Sequence, residues 1–456
     1  MKEKLNFKST LLVGSLLFGL FFGAGNLIFP VQLGQLAGAN TLPATIGFLI
    51  TGVGLPILGV IASALSKSES LYDMAQPVNR TYSLFFTCAL YLTIGPLFAI
   101  PRTATVAFEV GMTGLIGDEW IQIGLLIFSL IFFTVTLFYS LRPGRILDWV
   151  GKFLTPTFLV LLSILISATF ISPMGEGSQF TPQGNYVGRP LFTGLLDGYH
   201  TMDALASLAF AIVIISTIEK LGIHDPKRKA VETFKAGIIC LIGMGAIYAS
   251  LAYLGVTSLG SVGSGANGGI ILSMVGRHYF GLAGQILLAG IVLFACLKTA
   301  IGLITACAQM FSELFPNSIS YNKYAITFTI LSFVIANFGL TTIIQLSVPV
   351  LMFLYPLAIT LIILSLLAPL IKKQKDIYRW TTGLTIVAAF FDFLNALPDP
   401  IKENQMIAKL IYFAERYLPG FELGFGWIIP SMIGFLIGVF FWKSKAVETE
   451  EKLYHE

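Results

Sequence analysis

In a chain of 456 residues, 55% hydrophobic and 11% charged, the informative residues are the few ionisable ones inside long apolar runs. Such groups are costly in lipid and mark function. Lys298, in FACLKTAIGLITA, lies far from either end of its run. Burial disfavours an isolated ammonium, so Lys298 is either half of an ion pair or a titrating group. Arg102, in GPLFAIPRTATVAFEVG, must face the protein interior or a wet cavity. Glu109 follows two helical turns later on nearly the same face, and the two suit either a gate or a structural ion pair. The run LFTGLLDGYHTMDALASLAFAIVIIST carries Asp197, His200 and Asp203. Asp203 sits deeper than Asp197, which suits helix capping near an interface. His200 is either a proton carrier or a packed neutral imidazole.

A second signal is backbone chemistry. In FFGAGNLIFP, residues 21–30, Gly23 and Gly25 favour unwinding, Asn26 adds a side-chain oxygen, and Pro30 lacks an amide donor. A membrane helix has no water to satisfy an opened backbone. Freed amides there suit a carboxylate and freed carbonyls suit a cation. A packing seam of small residues is the alternative. The run around Gly194, Gly198 and Asp203 is interrupted in the same way, five apolar spans later. Breaks at matching positions in two halves suggest an inverted repeat around a midplane site.

The elements that must position these groups are membrane helices. Apolar windows predict an all-α integral membrane protein with twelve transmembrane helices, at about 10–36, 43–66, 82–112, 120–140, 150–171, 191–218, 234–257, 279–311, 323–338, 342–371, 379–397 and 424–442. Residues 1–172 would form the first five-helix repeat and 190–372 the second, with helices 11 and 12 and a cytoplasmic tail in 373–456. With the N-terminus in the cytoplasm, 21 of the 28 Lys and Arg fall on or at the cytoplasmic side, five outside, and Arg102 and Lys298 deep within spans. That bias puts both termini inside. The basic N-terminus runs into an apolar stretch with no small-residue cleavage site, so it reads as a retained first helix. Pro96 and Pro101 predict a bent third helix. Residues 172–190 and 258–269 read as flexible external connectors, and 404–420 as an amphipathic helix along the outer surface.

Other classes find little support. The four cysteines lie in apolar segments with no metal or disulfide spacing. No HExxH, no cysteine–histidine pair and no GxxxxGK[ST] occurs, which speaks against a membrane-embedded enzyme and against ATP drive. Paired broken helices fit a closed midplane site better than the pore of a channel. Nothing suggests nucleic acid, a cofactor or an ATP-binding subunit.

The segments FGAGNLIFP, GFLITGVGLPILGV, YLTIGPLFAIPRTATVAFE, GYHTMDALASLAF and ACLKTAIGLITA, in that order, make the chain resemble the branched-chain amino acid transport system II carriers, cation symporters for leucine, isoleucine and valine. The resemblance implies a bacterial plasma-membrane transporter of the leucine-transporter fold, with five-plus-five inverted repeats, broken helices 1 and 6, and alternating access. It implies that Gly23, Ala24, Gly25 and Asn26 line one side of the substrate site and Tyr199, His200, Thr201, Met202, Asp203 and Ala204 the other. It also implies a cation site, for Na+ or its replacement by H+, at Gly19, Phe22, Ala295, Lys298 and Thr299. Many relatives carry a second threonine where this chain has Lys298, so an ammonium would compete with sodium for one cavity. The coupling is then either sodium symport, with Lys298 set aside and paired with Asp203, or a proton-coupled or exchange mode through Lys298.

Overall fold

The computed structural model describes residues 4–68, 70–112, 116–141 and 155–455. Among these it is helical throughout, and each of the twelve expected spans falls on a helix or a pair of half-helices. Among the described residues, seven helical stretches are long and apolar enough to cross a membrane. The first span is divided into α1 (Phe7–Phe21) and α2 (Ala24–Ala37). The second is α3 (Thr41–Leu49) and α4 (Leu55–Ser66), joined by a π turn at Ile50–Gly54. The third is α5 (Arg80–Leu92) and α6 (Ala99–Met112). Then follow α7 (Ile121–Ser140) and α8 (Thr155–Ile171). The sixth is α9 (Pro190–Asp197), a 3-10 turn at Gly198–Thr201, and α10 (Asp203–Lys220). The remainder are α11 (Pro226–Ser258), α12 (Gly268–Leu314), α13 (Tyr321–Ala336), α14 (Leu340–Leu366), α15 (Lys375–Asn395), α16 (Gln405–Tyr417) and α17 (Ile428–His455). Arg142, Arg145, Lys152 and the first residues of the fifth expected span lie outside the described residues.

The expected bend in the third span is present. A π turn at Thr93–Leu97 contains Pro96, and Gly95 leaves helical geometry at φ −97°, ψ −126°. The second π turn has a visible purpose: it brings the Thr51 hydroxyl to the Leu195 carbonyl at 2.7 Å and seats Gly198 of the sixth span against it. Single π turns inside α-helices commonly mark functional positions.

Two connections depart from expectation. Residues 172–190 are not a free connector. They form two 3-10 turns, and the chain hydrogen-bonds to the end of the first span through Ala39 N to Phe180 O (2.8 Å) and Gln183 N to Leu36 O (2.8 Å). The glycine-rich stretch also ends earlier than expected. Asn267 caps α12 by accepting from the Gly269 and Ile270 amides, and helix runs from Gly268 to a sharp kink at Gly281 (φ 60°, ψ −152°) before the eighth span proper. The amphipathic segment is the helix α16, which buries Ala414 and leaves Met406, Tyr412, Phe413 and Tyr417 exposed.

The helices sort into two packed groups. The halves of spans 1 and 2 and α10 pack with α11, and α9 packs on α3, while α6, α7, α12 and α13 pack together. The first group is held by backbone-to-backbone approach. A methyl group on Gly34 would come within 2.0 Å of Ala252 O, and one on Gly255 within 2.1 Å of Val31 O, so α2 and α11 lock reciprocally. Gly47 and Gly194 do the same between α3 and α9. Small residues at such seams let membrane helices approach closely. Gly255→Val should therefore destabilise the protein by about 1–3 kcal/mol through overpacking. Gly290→Ala, where the added methyl meets nothing within 4 Å, should leave stability unchanged or slightly raised. Thermal unfolding of the two variants in detergent measures the contrast.

Candidate functional site

The first break is set by the side chain of Asn26. Its Oδ1 accepts the Gly23 amide at 3.0 Å, capping the start of α2 from within. Phe22, in extended conformation, closes α1 by returning its amide to Phe18 O at 2.8 Å. This leaves the last carbonyls of α1 and the first-turn amides of α2 without partners inside their own helices. The second break is set by Met202, a non-glycine residue at φ 63°, ψ 10°, which ends the 3-10 turn and starts α10. Left-handed backbone is strained for such a residue and clusters at functional sites.

The two breaks are wired together. Asn26 Nδ2 donates to Asp203 Oδ2 at 2.6 Å and makes a short contact with the Tyr248 hydroxyl. Tyr248, from α11, also donates to Asp203 Oδ2 at 3.3 Å. Asn26 and Asp203 are 2% and 4% exposed and Tyr248 is fully buried. From α6, Arg102 reaches across and donates to the carbonyls of His200 (2.6 Å) and Thr201 (3.3 Å). Its guanidinium lies over the Phe29 ring, 5.0 Å from the centroid. A methyl on Gly25 would come within 2.7 Å of Arg102 Nη2, so glycine is needed there for the guanidinium to reach the break.

A cavity of ≈ 290 Å³ opens at this junction. Of the ten expected substrate-site residues, Gly23, Ala24, Gly25, Asn26, Thr201, Met202 and Asp203 line it. The other three do not. Tyr199 is buried on the far side of the break, its ring stacked 3.9 Å from that of Tyr355. The His200 imidazole turns away to pack at a tilt against Phe29 and lies 3.7 Å from Asp197 Oδ1, so only its carbonyl serves the junction. Ala204 is buried inside α10. Asp197, the last residue of α9, accepts a short hydrogen bond from the Tyr186 hydroxyl rather than capping a helix start.

The expected cation positions also converge. Gly19, Lys298 and Thr299 line the same cavity. The Lys298 ammonium is 3.3 Å from where a Gly19 Cβ would be, and Thr299 is 3.4 Å from that of Gly23. Ala295 stands behind them, its carbonyl accepting from Thr299 Oγ1 at 3.1 Å, and Phe22 is buried with its ring stacked on Phe18. Arg102 and Glu109 separate. Arg102 lines the cavity, whereas Glu109 is hydrogen-bonded by Asn267 and the Leu340 backbone toward the end of the bundle where α12 begins.

Three features of the site were not foreseen from sequence. Tyr248 completes the Asn26–Asp203 pair. Ile94, Ala99, Ala206, Phe210 and Leu303 supply an apolar wall. The cavity continues past Val213, Tyr139 and Gln309, toward the face of the bundle where the chain starts. Polar groups in one patch beside an aliphatic wall are the composition of a small-molecule site.

Comparison with known proteins agrees with this geometry. Residues 6–445 match the family model described as branched-chain amino acid transport protein. The chain is 48% identical to the branched-chain amino acid permease BrnQ of Lactobacillus delbrueckii subsp. lactis, over 96% of this chain and 97% of that one. It is 43% identical to the permease BraB of Bacillus subtilis, covering 96% of each. It is 42% identical to the branched-chain amino acid transport system 2 carrier protein of Pseudomonas aeruginosa, covering 94% of this chain and 95% of that one. Among solved structures it resembles Mhp1, a nucleobase-cation-symport-1 family transporter, with TM-score 0.59, 15% identity and coverage of 96% and 93%. That likeness concerns the fold, which is of the leucine-transporter type. The chain is a multi-pass membrane protein, a transporter rather than an enzyme, and it belongs to the branched-chain amino acid transport protein family.

Proposed function

We propose that this protein imports leucine, isoleucine and valine across the bacterial cytoplasmic membrane by cation-coupled symport with alternating access. The observation that carries the reading is the meeting of Gly23–Asn26 with Thr201–Asp203 across one cavity. Two inverted repeats, 1–172 and 190–372, would each contribute one break. The Lys and Arg distribution supports both termini in the cytoplasm, so the cavity's extension toward the starting face of the bundle makes this a cytoplasm-facing state.

The geometry supports a binding mode. The substrate carboxylate sits between the first-turn amides of α2 and Arg102, where the helix N-terminus and the guanidinium both favour an anion. The ammonium sits at Asp203. The branched side chain lies against Ile94, Ala206, Phe210 and Leu303. Such a dry wall separates aliphatic side chains by only about 1–3 kcal/mol per methylene, so the three substrates compete. Lys298 supplies the coupling. Its ammonium lies beside Gly19 at the carbonyl end of α1, where a cation is favoured. It takes the place of a sodium ion by Coulomb repulsion and couples uptake to protons.

Two measurements test this. In Arg102→Gln, the dissociation constant for leucine should rise about 10- to 100-fold, the loss of one or two charge-assisted hydrogen bonds. The wild type should discriminate leucine from leucinamide, and the variant about tenfold less, since the first-turn amides of α2 remain; discrimination undiminished by the substitution refutes the role of Arg102. In proteoliposomes, uptake should follow a proton gradient alone, and Lys298→Thr should confer dependence on a sodium gradient. Wild-type uptake driven by sodium and indifferent to pH sinks the lysine mechanism.

A further inference from the structure

Behind the second break, on the side away from the cavity, lies a carboxyl group that the transport site does not use. Asp392 belongs to α15, an accessory helix, and is 2% exposed. Neither of its oxygens has a hydrogen-bond partner among the described residues, and it joins none of their ion pairs. It acts electrostatically on Tyr199, whose hydroxyl is likewise buried without a partner. Tyr199 sits in the 3-10 turn of the second break and stacks on Tyr355 of α14. Tyr355 in turn interacts electrostatically with Asp203 and Arg102. Two stacked tyrosines thus link Asp392 to the charged centre of the site.

Among the described residues, no fixed cation faces Asp392 from the elements packed on α15. Those elements are α14, α16 and α17. Helix α14 contains no charged residue, and Tyr355 is the titratable group it presents toward the break. In α16, Lys409, Tyr412, Glu415, Arg416 and Tyr417 are exposed to the outside. Helix α17 runs antiparallel, with Gly438 against Ile377, so its charged residues from Lys443 onward lie near the start of α15; Lys445 reaches Asp376 there. On α15 itself Lys375, Asp376 and Arg379 are at that same end, about 20 Å or more from Asp392 at 1.5 Å per residue. Tyr378 is also there and donates to Leu364 O.

A buried ionised carboxylate with neither a donor nor a counter-charge is strongly disfavoured. We propose that Asp392 is a proton-binding site. It holds its proton while the second break keeps the present conformation and releases it to water when the break moves Tyr199 away. The inference rests on the transport reading only in taking the second break as a moving part. Asp392 is a second acid–base group, separate from Lys298.

Infrared spectroscopy of the full chain in lipid at neutral pH tests it directly. The wild type should show a protonated-carboxyl C=O band that disappears in Asp392→Asn and persists in Asp203→Asn. Uptake by Asp392→Asn should vary with pH at least threefold less than wild type, with leucine affinity held within about twofold. Should Asp392→Asn not fold, Tyr199→Phe should shift the same band in frequency. A spectrum unchanged by Asp392→Asn, or a band unmoved by Tyr199→Phe, overturns the proposal. So does a band lost on adding sodium at fixed pH, which would make Asp392 a sodium ligand. If leucine does not bind the wild-type chain, the transport reading falls while the infrared band still decides the assignment of Asp392.

Discussion

Everything in the site depends on one carboxamide. Asn26 turns its oxygen to the Gly23 amide and its nitrogen to Asp203 and Tyr248, so a single planar group caps one broken helix, anchors the start of the other and ties both to α11. In a buried setting this arrangement is self-enforcing. Each such bond adds about 0.5–1.5 kcal/mol, but leaving a member unpaired costs about 1–3 kcal/mol. The breaks are stable because their polar groups satisfy one another, with Arg102 collecting the two carbonyls that Asn26 cannot reach.

That polar centre can exist only because the surrounding helices yield to it. The π turns at Ile50–Gly54 and Thr93–Leu97 shift the register of the second and third spans just where the sixth span and Arg102 must approach. The reciprocal glycine contacts of α2 with α11 and of α3 with α9 draw the bundle together on the far side from the cavity's extension. Close backbone packing on one side and an opening on the other belong to one arrangement.

How much of this was legible in the sequence follows from cost. A glycine pair followed by asparagine, a lone lysine, or an aspartate within an apolar run is rare enough to be noticed. Gly23, Asn26, Asp203 and Lys298 all proved to line one cavity. The helical spans were legible for the same reason, from the length of the apolar runs. Tyrosines are not conspicuous in such runs, so Tyr248 gave no signal, and the direction taken by Tyr199 and His200 depends on the local 3-10 geometry rather than on residue type. Asp392 stands near the prolines that end its span, where an acid looks like a boundary residue. The helix from Gly268 to Phe280 was hidden by the glycine-rich stretch it starts in, whose last two glycines, Gly268 and Gly269, are helical.

An amide has no proton to exchange in the physiological range. The amide of the joint is therefore electrically silent, and the carboxyl it donates to is Asp203. Whatever acid–base sensitivity the protein has must enter at the ends of the polar string, through carboxyl or ammonium groups. The bond from the Gly23 amide to the Asn26 oxygen involves no ionisable group, so the cap of α2 is the same at every pH the cell meets. A cap that ignores the medium is what allows the carboxyl beside it to respond without the first break coming apart.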